Sequence, residues 1–363
     1  MPLKPTPRNA GKRLMFPFSR LAATVTATAT AATALSLLGA GPTSAVVAPP
    51  LSDARVVAHY TFNNQIQQTP ENIVLEPDGT ADITFSLSRQ VVHVTNRGTS
   101  YTVRATLPAV STPHTPILGQ AAVMGIARAG DGTLYVNYAT GTSRTGIWRI
   151  SPGRPPVQIA QLPNPTHALP NGLALDERHH VLYMADTVGA VVWRIPQVGG
   201  TPRVWASGAA LQPSPGASLP AGPNGLRVHN GAVWVSNTTR GTLLRVPVLR
   251  DGAAGKIQTR ATGLDWIDDF AFTGTGDTVL AALVAGNSIS SPPDGDTGST
   301  VLVSPKGGHK TVLTHQDGLN SPSSVAVSPR GRQGRTVFVL SAAYFSNPPD
   351  PNLLRARLKS AVG

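Results

Sequence analysis

Cysteine is absent from all 363 residues. That absence excludes disulfides, thiolate metal ligands and a cysteine nucleophile. No serine stands in a G-x-S-x-G elbow, and no glycine-rich stretch has dinucleotide-binding spacing. Charged residues make up 13% of the chain and aromatics 5%; acidic residues are the scarcer sign, 18 against 30 basic, for a formal net charge of +12. The basic residues form no dense run: Arg149, Arg194, Arg245 and Arg355 stand apart near strand ends, with no aromatic series between them. No nucleic-acid partner is expected from such a distribution. No apolar stripe at helical spacing appears either, which leaves period-2 patterns to carry the fold.

The first 45 residues read as a leader. Lys4, Arg8, Lys12, Arg13 and Arg20 form a basic head, Leu21 to Ala40 is an Ala/Thr/Leu stretch, and Thr43-Ser44-Ala45 or Val46-Val47-Ala48 offers small residues for cleavage. This pattern predicts a secretory signal peptide over 1–45, cut near 45–48, and a secreted, extracytoplasmic protein. Threonine dilutes the stretch and proline follows it closely, which disfavours a membrane anchor. Lys12-Arg13 in place of an arginine pair disfavours the twin-arginine route. The leader carries five basic and no acidic residues, so its removal leaves +7. Residues 51–363 then form one domain, expected to be monomeric and free of the membrane. Without disulfides, its stability has to come from a buried core and a closed ring.

Six times in that domain a turn residue, an alternating apolar run, a glycine about eight positions on and a second strand recur. The copies begin at Glu71, Met124, Asn171, Asn224, Asp268 and Ser323, at intervals of 53, 47, 53, 44 and 55 residues. They read PENIVLEPDG, VMGIARAGDG, PNGLALDERHHVLYMAD, PNGLRVHNGAVWVSN, DDFAFTGTGDTVLAA and PSSVAVSPRG. Alternating pairs such as HVLYMADT with AVVWRIP and GAVWVSNT with TLLRVPV are meander hairpins. A period near 50 made of strands predicts an all-β, six-bladed β-propeller of four-stranded antiparallel blades. A strand at Val56–Phe62 is expected beside Leu353–Leu358, closing the sixth blade from the N-terminus and removing an open edge.

In a propeller, equivalent positions converge on one axis. Glu71, Asn171, Asn224 and Asp268 would then offer two carboxylates and two amide carbonyls to a common centre. Hard divalent cations accept such oxygen donors, Ca2+ most readily, with Mn2+ or Mg2+ able to substitute. Zinc would ask for His or Cys, and no ring position supplies one. Taken singly, Asn171-Gly172 and Asn224-Gly225 read as turn dipeptides and Glu71 as a solvated loop charge. The shared offset to the following glycine is what favours a ring. Asp186-Thr187 and Asn237-Thr238 read as Asx turns at strand ends, and Asp294-Gly-Asp296 as a loop without a closing glutamate.

These residues resemble the senescence marker protein / gluconolactonase / luciferin-regenerating enzyme family of six-bladed propellers. The resemblance spans most of residues 51–363 and is strongest in PNGLALDERHHVLYMADT and PNGLRVHNGAVWVSNTTRGTLLRVPV, weaker in TPENIVLEPDG and IDDFAFTGTGD. It implies one divalent metal held by Glu71, Asn171, Asn224 and Asp268, with Asp268 also the general base of a lactone hydrolysis. Two positions depart from the family pattern. Leu169 stands where lactonases of the family carry a sugar-holding arginine, and Ile267-Asp268-Asp269-Phe270 replaces the usual Pro-Asp-Gly. A less polar substrate, or no catalysis, follows.

The reading is a secreted, divalent-metal dependent hydrolase of lactones or related esters. His167, Asp269 and Met124 are the candidate substrate contacts, and Asp269 would serve as base if the register slips by one. The alternative is a non-catalytic propeller that binds a small ligand or partner protein around a structural calcium.

Overall fold

The computed structural model describes residues 50–95, 98, 100–285, 298–329 and 335–359. The leader and the Asp294/Asp296 loop lie outside the described residues. Six four-stranded antiparallel sheets form the six blades of an all-β propeller, and the helical elements among the described residues are short 3-10 turns. Blades one to five each use four consecutive strands. Blade six pairs Pro322–Val327, Arg335–Ser341 and Asn352–Leu358 with the N-terminal strand Leu51–His59 at its outer edge. That closing strand lies earlier than Val56–Phe62; Phe62 instead makes an isolated bridge to Gln67.

The inner strands are Pro70–Leu75, Ala122–Arg128, Pro170–Asp176, Pro223–His229, Ile267–Phe272 and Pro322–Val327. Each touches its neighbours on both sides, and the last touches the first. Four of them start with proline. The first strand position tolerates a residue that cannot donate to the ladder. Between neighbouring blades lies apolar core. Tyr183 and Val192 of blade three pack on Leu226 and Val235 of blade four, and Ile83 and Phe85 of blade one pack on Phe338 and Leu353 of blade six. This last cluster and the Leu51–His59 pairing seal the ring in a chain that has no disulfide.

The ring residue is the second residue of its inner strand, or the third for Met124, not the first. There every blade breaks register between its two inner strands: at Pro70/Ile73, Val123/Ile126, Pro170/Leu173, Pro223/Leu226, Ile267/Phe270 and Pro322/Ser324. The break bends the strand where it nears the axis and re-aims its side chains. Asn171-Gly172 and Asn224-Gly225 therefore lie inside strands and are not turns. Their glycines are required by close approach. A Cβ at Gly172 would stand 2.2 Å from the Asn224 carbonyl oxygen, and one at Gly125 2.2 Å from that of Asn171.

Replacing Gly172 by Ala should therefore cost about 2 kcal/mol in denaturant-unfolding stability. The exposed Gly276, whose added Cβ would meet nothing within 4 Å, serves as control. Gly276→Ala should stay within about 0.5 kcal/mol of the parent. Equal effects at both sites would remove the close-approach explanation.

Candidate functional site

The same break that packs the inner strands also fixes the backbone of the ring residues. Thr84 Oγ1 of blade one donates to the Met124 carbonyl at 2.8 Å, Asn137 of blade two to that of Asn171 at 2.5 Å, and Ser236 of blade four to that of Asp268 at 2.5 Å. In blade three the equivalent second-strand position is Ala185, and Thr187 Oγ1 bonds the Pro223 carbonyl instead, at 2.7 Å. Ser323 Oγ of blade six closes the series on the Pro70 carbonyl at 3.0 Å. Among the described residues, a polar side chain of one blade thus holds the ring segment of the next at five of the six blade junctions. Thr84, Asn137 and Ser236 stand outside the sequence candidates, although a buried polar residue in an apolar second strand is a readable signal.

Glu71 and Asp268 come from blades one and five, are 4% and 5% exposed, and act on each other electrostatically. Burial pushes the Glu71 carboxyl up to about 7, a hydrogen bond from Tyr344 opposes the rise, and Asp269 adds to it. Burial also raises Asp268 well above the ordinary carboxylate range, Glu71 and Asp269 raise it further, and a hydrogen bond from Asn224 offsets part. Asn224 Nδ2 also donates to Thr238 Oγ1 at 3.0 Å. Asn171 holds the equivalent strand position in blade three, buried, with the Asn224-Gly225 backbone packed against its own Gly172. Met124 is buried in an apolar cluster with Ala122, Ala139 and Leu169. Ser323 spends its hydroxyl on backbone and adds no free donor to the ring.

Asp269, next along the strand from Asp268, has a different environment. Its Oδ2 accepts from Asn72 at 3.2 Å, from Ser324 at 2.5 Å and from the Arg227 guanidinium. Blades one, six and four thereby converge on one carboxylate that already has its counter-charge. His167 lies on the exposed turn Pro165–His167, where its ring bonds the Thr166 hydroxyl; no contact joins it to the ring residues among the described residues. Asp186 accepts from the amides of Leu169 and Gly189 and from Trp193 Nε1, which makes it a strand-end anchor for Leu169.

Two features fell outside the sequence reading. Tyr344, in the link between Ser341 and Asn352 of blade six, donates its hydroxyl to Glu71 Oε2. At the other end of blade one, Glu76, Asp82 and His93 bring ligand-type atoms within 4.8 Å of one another. Arg104 bonds Asp82 at 2.5 Å and Glu76 at 3.1 Å, and Arg128 bonds Glu76 at 2.6 Å. Two guanidiniums thus balance the two carboxylates, and a cation there would have to displace them. The ring differs in kind. Among the described residues, no lysine, arginine or histidine forms an ion pair with Glu71 or Asp268. Two buried carboxylates and two amides with no basic partner fit a hard divalent cation by the chemistry of the donor set.

No protein-family model matches this sequence, and no curated protein does. Solved structures match over most of the chain. A luciferin-regenerating enzyme aligns at TM-score 0.59 and 12% identity, covering 84% of this chain and 94% of its own. A gluconolactonase from Xanthomonas campestris aligns at 0.55 and 16%, covering 85% and 91%. A regucalcin from Agrobacterium tumefaciens, described as a calcium-binding protein, aligns at 0.57 and 14%, covering 82% and 93%. At such identities the likeness is one of fold, and it is the fold that the sequence resemblance implied.

The Glu71 shift has a measurable consequence in chelator. Folded, the carboxyl titrates at about 7; unfolded, at its ordinary 4.5. Between these values the folded chain binds more protons than the unfolded one, so stability falls as pH rises through that window and stays low above 7. For Glu71 alone the loss is about 3 kcal/mol. Thermal melts of the chelated protein from pH 4.5 to 8 should show this decline, and Glu71→Gln should flatten part of it. Superimposable curves would mean that Glu71 is not a desolvated carboxylate.

Proposed function

We propose that the protein is a divalent-cation dependent hydrolase of lactones or related esters with an apolar body. The observation that carries this reading is the pair Glu71 and Asp268, both buried, within electrostatic reach of each other and, among the described residues, without an ion-pair partner. Glu71, Asn171, Asn224 and Asp268 would hold the ion, Ca2+ by the hardness and number of their oxygens. When bound, the ion supplies Lewis-acid polarisation of a carbonyl oxygen. The similarity in fold to a gluconolactonase and to a calcium-binding regucalcin supports this reading without fixing the substrate.

The chain's own residues supply the remaining requirements. Asp268 is the proton acceptor, taking a proton from the attacking water on a carboxylate oxygen that Asn224 orients through its hydrogen bond. Asp269 does not compete for that role, because Arg227 neutralises it and Asn72 and Ser324 occupy its Oδ2. Leu169 and Met124 share one buried apolar cluster, with Leu87, Ile117, Leu118 and Val188 packed against it, and would form the apolar wall of the site. That wall replaces the cationic clamp a sugar lactone would need, so an alkyl or aryl acyl group suits the site better. The protein would act outside the cytoplasm after loss of residues 1–45, as one domain over 51–363.

One observation favours a second reading. With its arginine position filled by Leu169, the propeller could be a binding module in which calcium is structural. A panel of lactones and of alkyl and aryl esters, assayed with calcium and with chelator, separates the two. Asp268→Asn should lower kcat by about 10²–10⁴ while the melting temperature in chelator is retained. Calcium that raises the melting temperature without turnover of any ester would establish the binding module instead.

A further inference from the structure

Tyr344 reaches the ring from outside the inner strands. It sits in the second-to-third strand link of blade six and reaches across the closure to blade one, where its hydroxyl donates to Glu71 Oε2. The link is itself fixed. Ala342 and Ala343 donate their amides to the carbonyls of Ser321 and Asn320, both at 2.9 Å, and Ala343 turns the chain at φ 57°. Phe345 stands beside the tyrosine with ring centroids 6.4 Å apart. The tyrosine residue is 40% exposed, yet its hydroxyl points inward, near enough to act electrostatically on both Glu71 and Asp268. It is therefore not a core residue held by packing. The half-exposed ring is anchored by its hydroxyl, which bonds one buried acidic side chain.

We propose that Tyr344 is a positioning residue of the ring. By occupying Oε2 of Glu71 from the blade-six side, it fixes the rotamer that turns the carboxylate toward Asp268 and Asn224. A carboxylate has acceptor capacity only, so the phenol is the donor and Glu71 is left one oxygen, Oε1, without that bond. A free glutamate side chain would have to lose its rotamer freedom on binding a cation; here the hydroxyl has already removed part of it. Outer hydrogen bonds of this kind to a ligating carboxylate change metal affinity by about 10–100-fold. The inference rests on the cation reading of the ring but concerns a residue from outside the repeat.

The test is calcium titration of the full chain by calorimetry, with chelator-form melting measured in parallel. Tyr344→Phe keeps the ring and removes the hydroxyl, and should weaken calcium about 10-fold or more with the chelator-form melting temperature unchanged. Phe345→Ala, which disturbs the same link without touching Glu71, should leave calcium affinity within about two-fold. Equal affinity for the wild type and Tyr344→Phe would overturn the proposal and leave the cation site standing. Weakening matched by a comparable drop in chelator-form melting, or by Phe345→Ala, would also overturn it, reducing Tyr344 to a packing residue. A wild type that takes up no calcium would remove both the proposal and the reading beneath it.

Discussion

Six inner strands share one axis, and the space between them is set by how closely their backbones approach. Where blade three meets blade four, the approach admits no Cβ at Gly172. This closeness obliges each strand to break register at the same point, and the break turns the ring residue and its successor out of the ordinary alternation. The environment of the candidate site follows from this crowding. It buries Glu71 and Asp268, brings them within electrostatic reach, and places Asp269 where side chains of three other blades converge. The crowding persists only because the ring is closed. The Leu51–His59 strand, paired along Asn352–Leu358, is the closure.

Within that frame two acidic clusters meet opposite fates. Glu76 and Asp82 lie at the far end of blade one among Arg104, Arg128 and His93, and their charge is balanced by the protein itself. Among the described residues, Glu71 and Asp268 have no such balance; Tyr344 and Asn224 give them hydrogen bonds instead. Buried carboxylates within electrostatic reach of each other and without compensation are costly to keep ionised. Met124 and Leu169, from neighbouring blades, share a buried apolar cluster.

Particular residues show how far the sequence could be read. The six anchors are visible because the repeat keeps its period, and the closing strand begins a few residues earlier than its pattern suggests. Asn171-Gly172 was ambiguous because a turn and a close approach both select glycine after asparagine; only packing against Asn224 separates them. Asp268 and Asp269 are neighbours in the chain with nothing in their spelling to tell them apart. Arg227, forty-two positions away, makes the difference. His167 lies four residues from a ring asparagine and yet sits on an exposed turn. Tyr344 lies in an irregular link with no repeat partner, so no periodic argument could have reached it.

The sequence by itself determined the period, the blade count and the oxygen-bearing character of four ring positions, because those follow from local alternation and recurrence. Only the tertiary structure decided which charges remain uncompensated, which carboxylate is neutralised and which hydroxyl reaches the ring. These are settled by contacts between blades, such as Tyr344 on Glu71 across 273 residues of chain. Electrostatic energy depends on distance and burial in space, and neither is encoded in any single repeat.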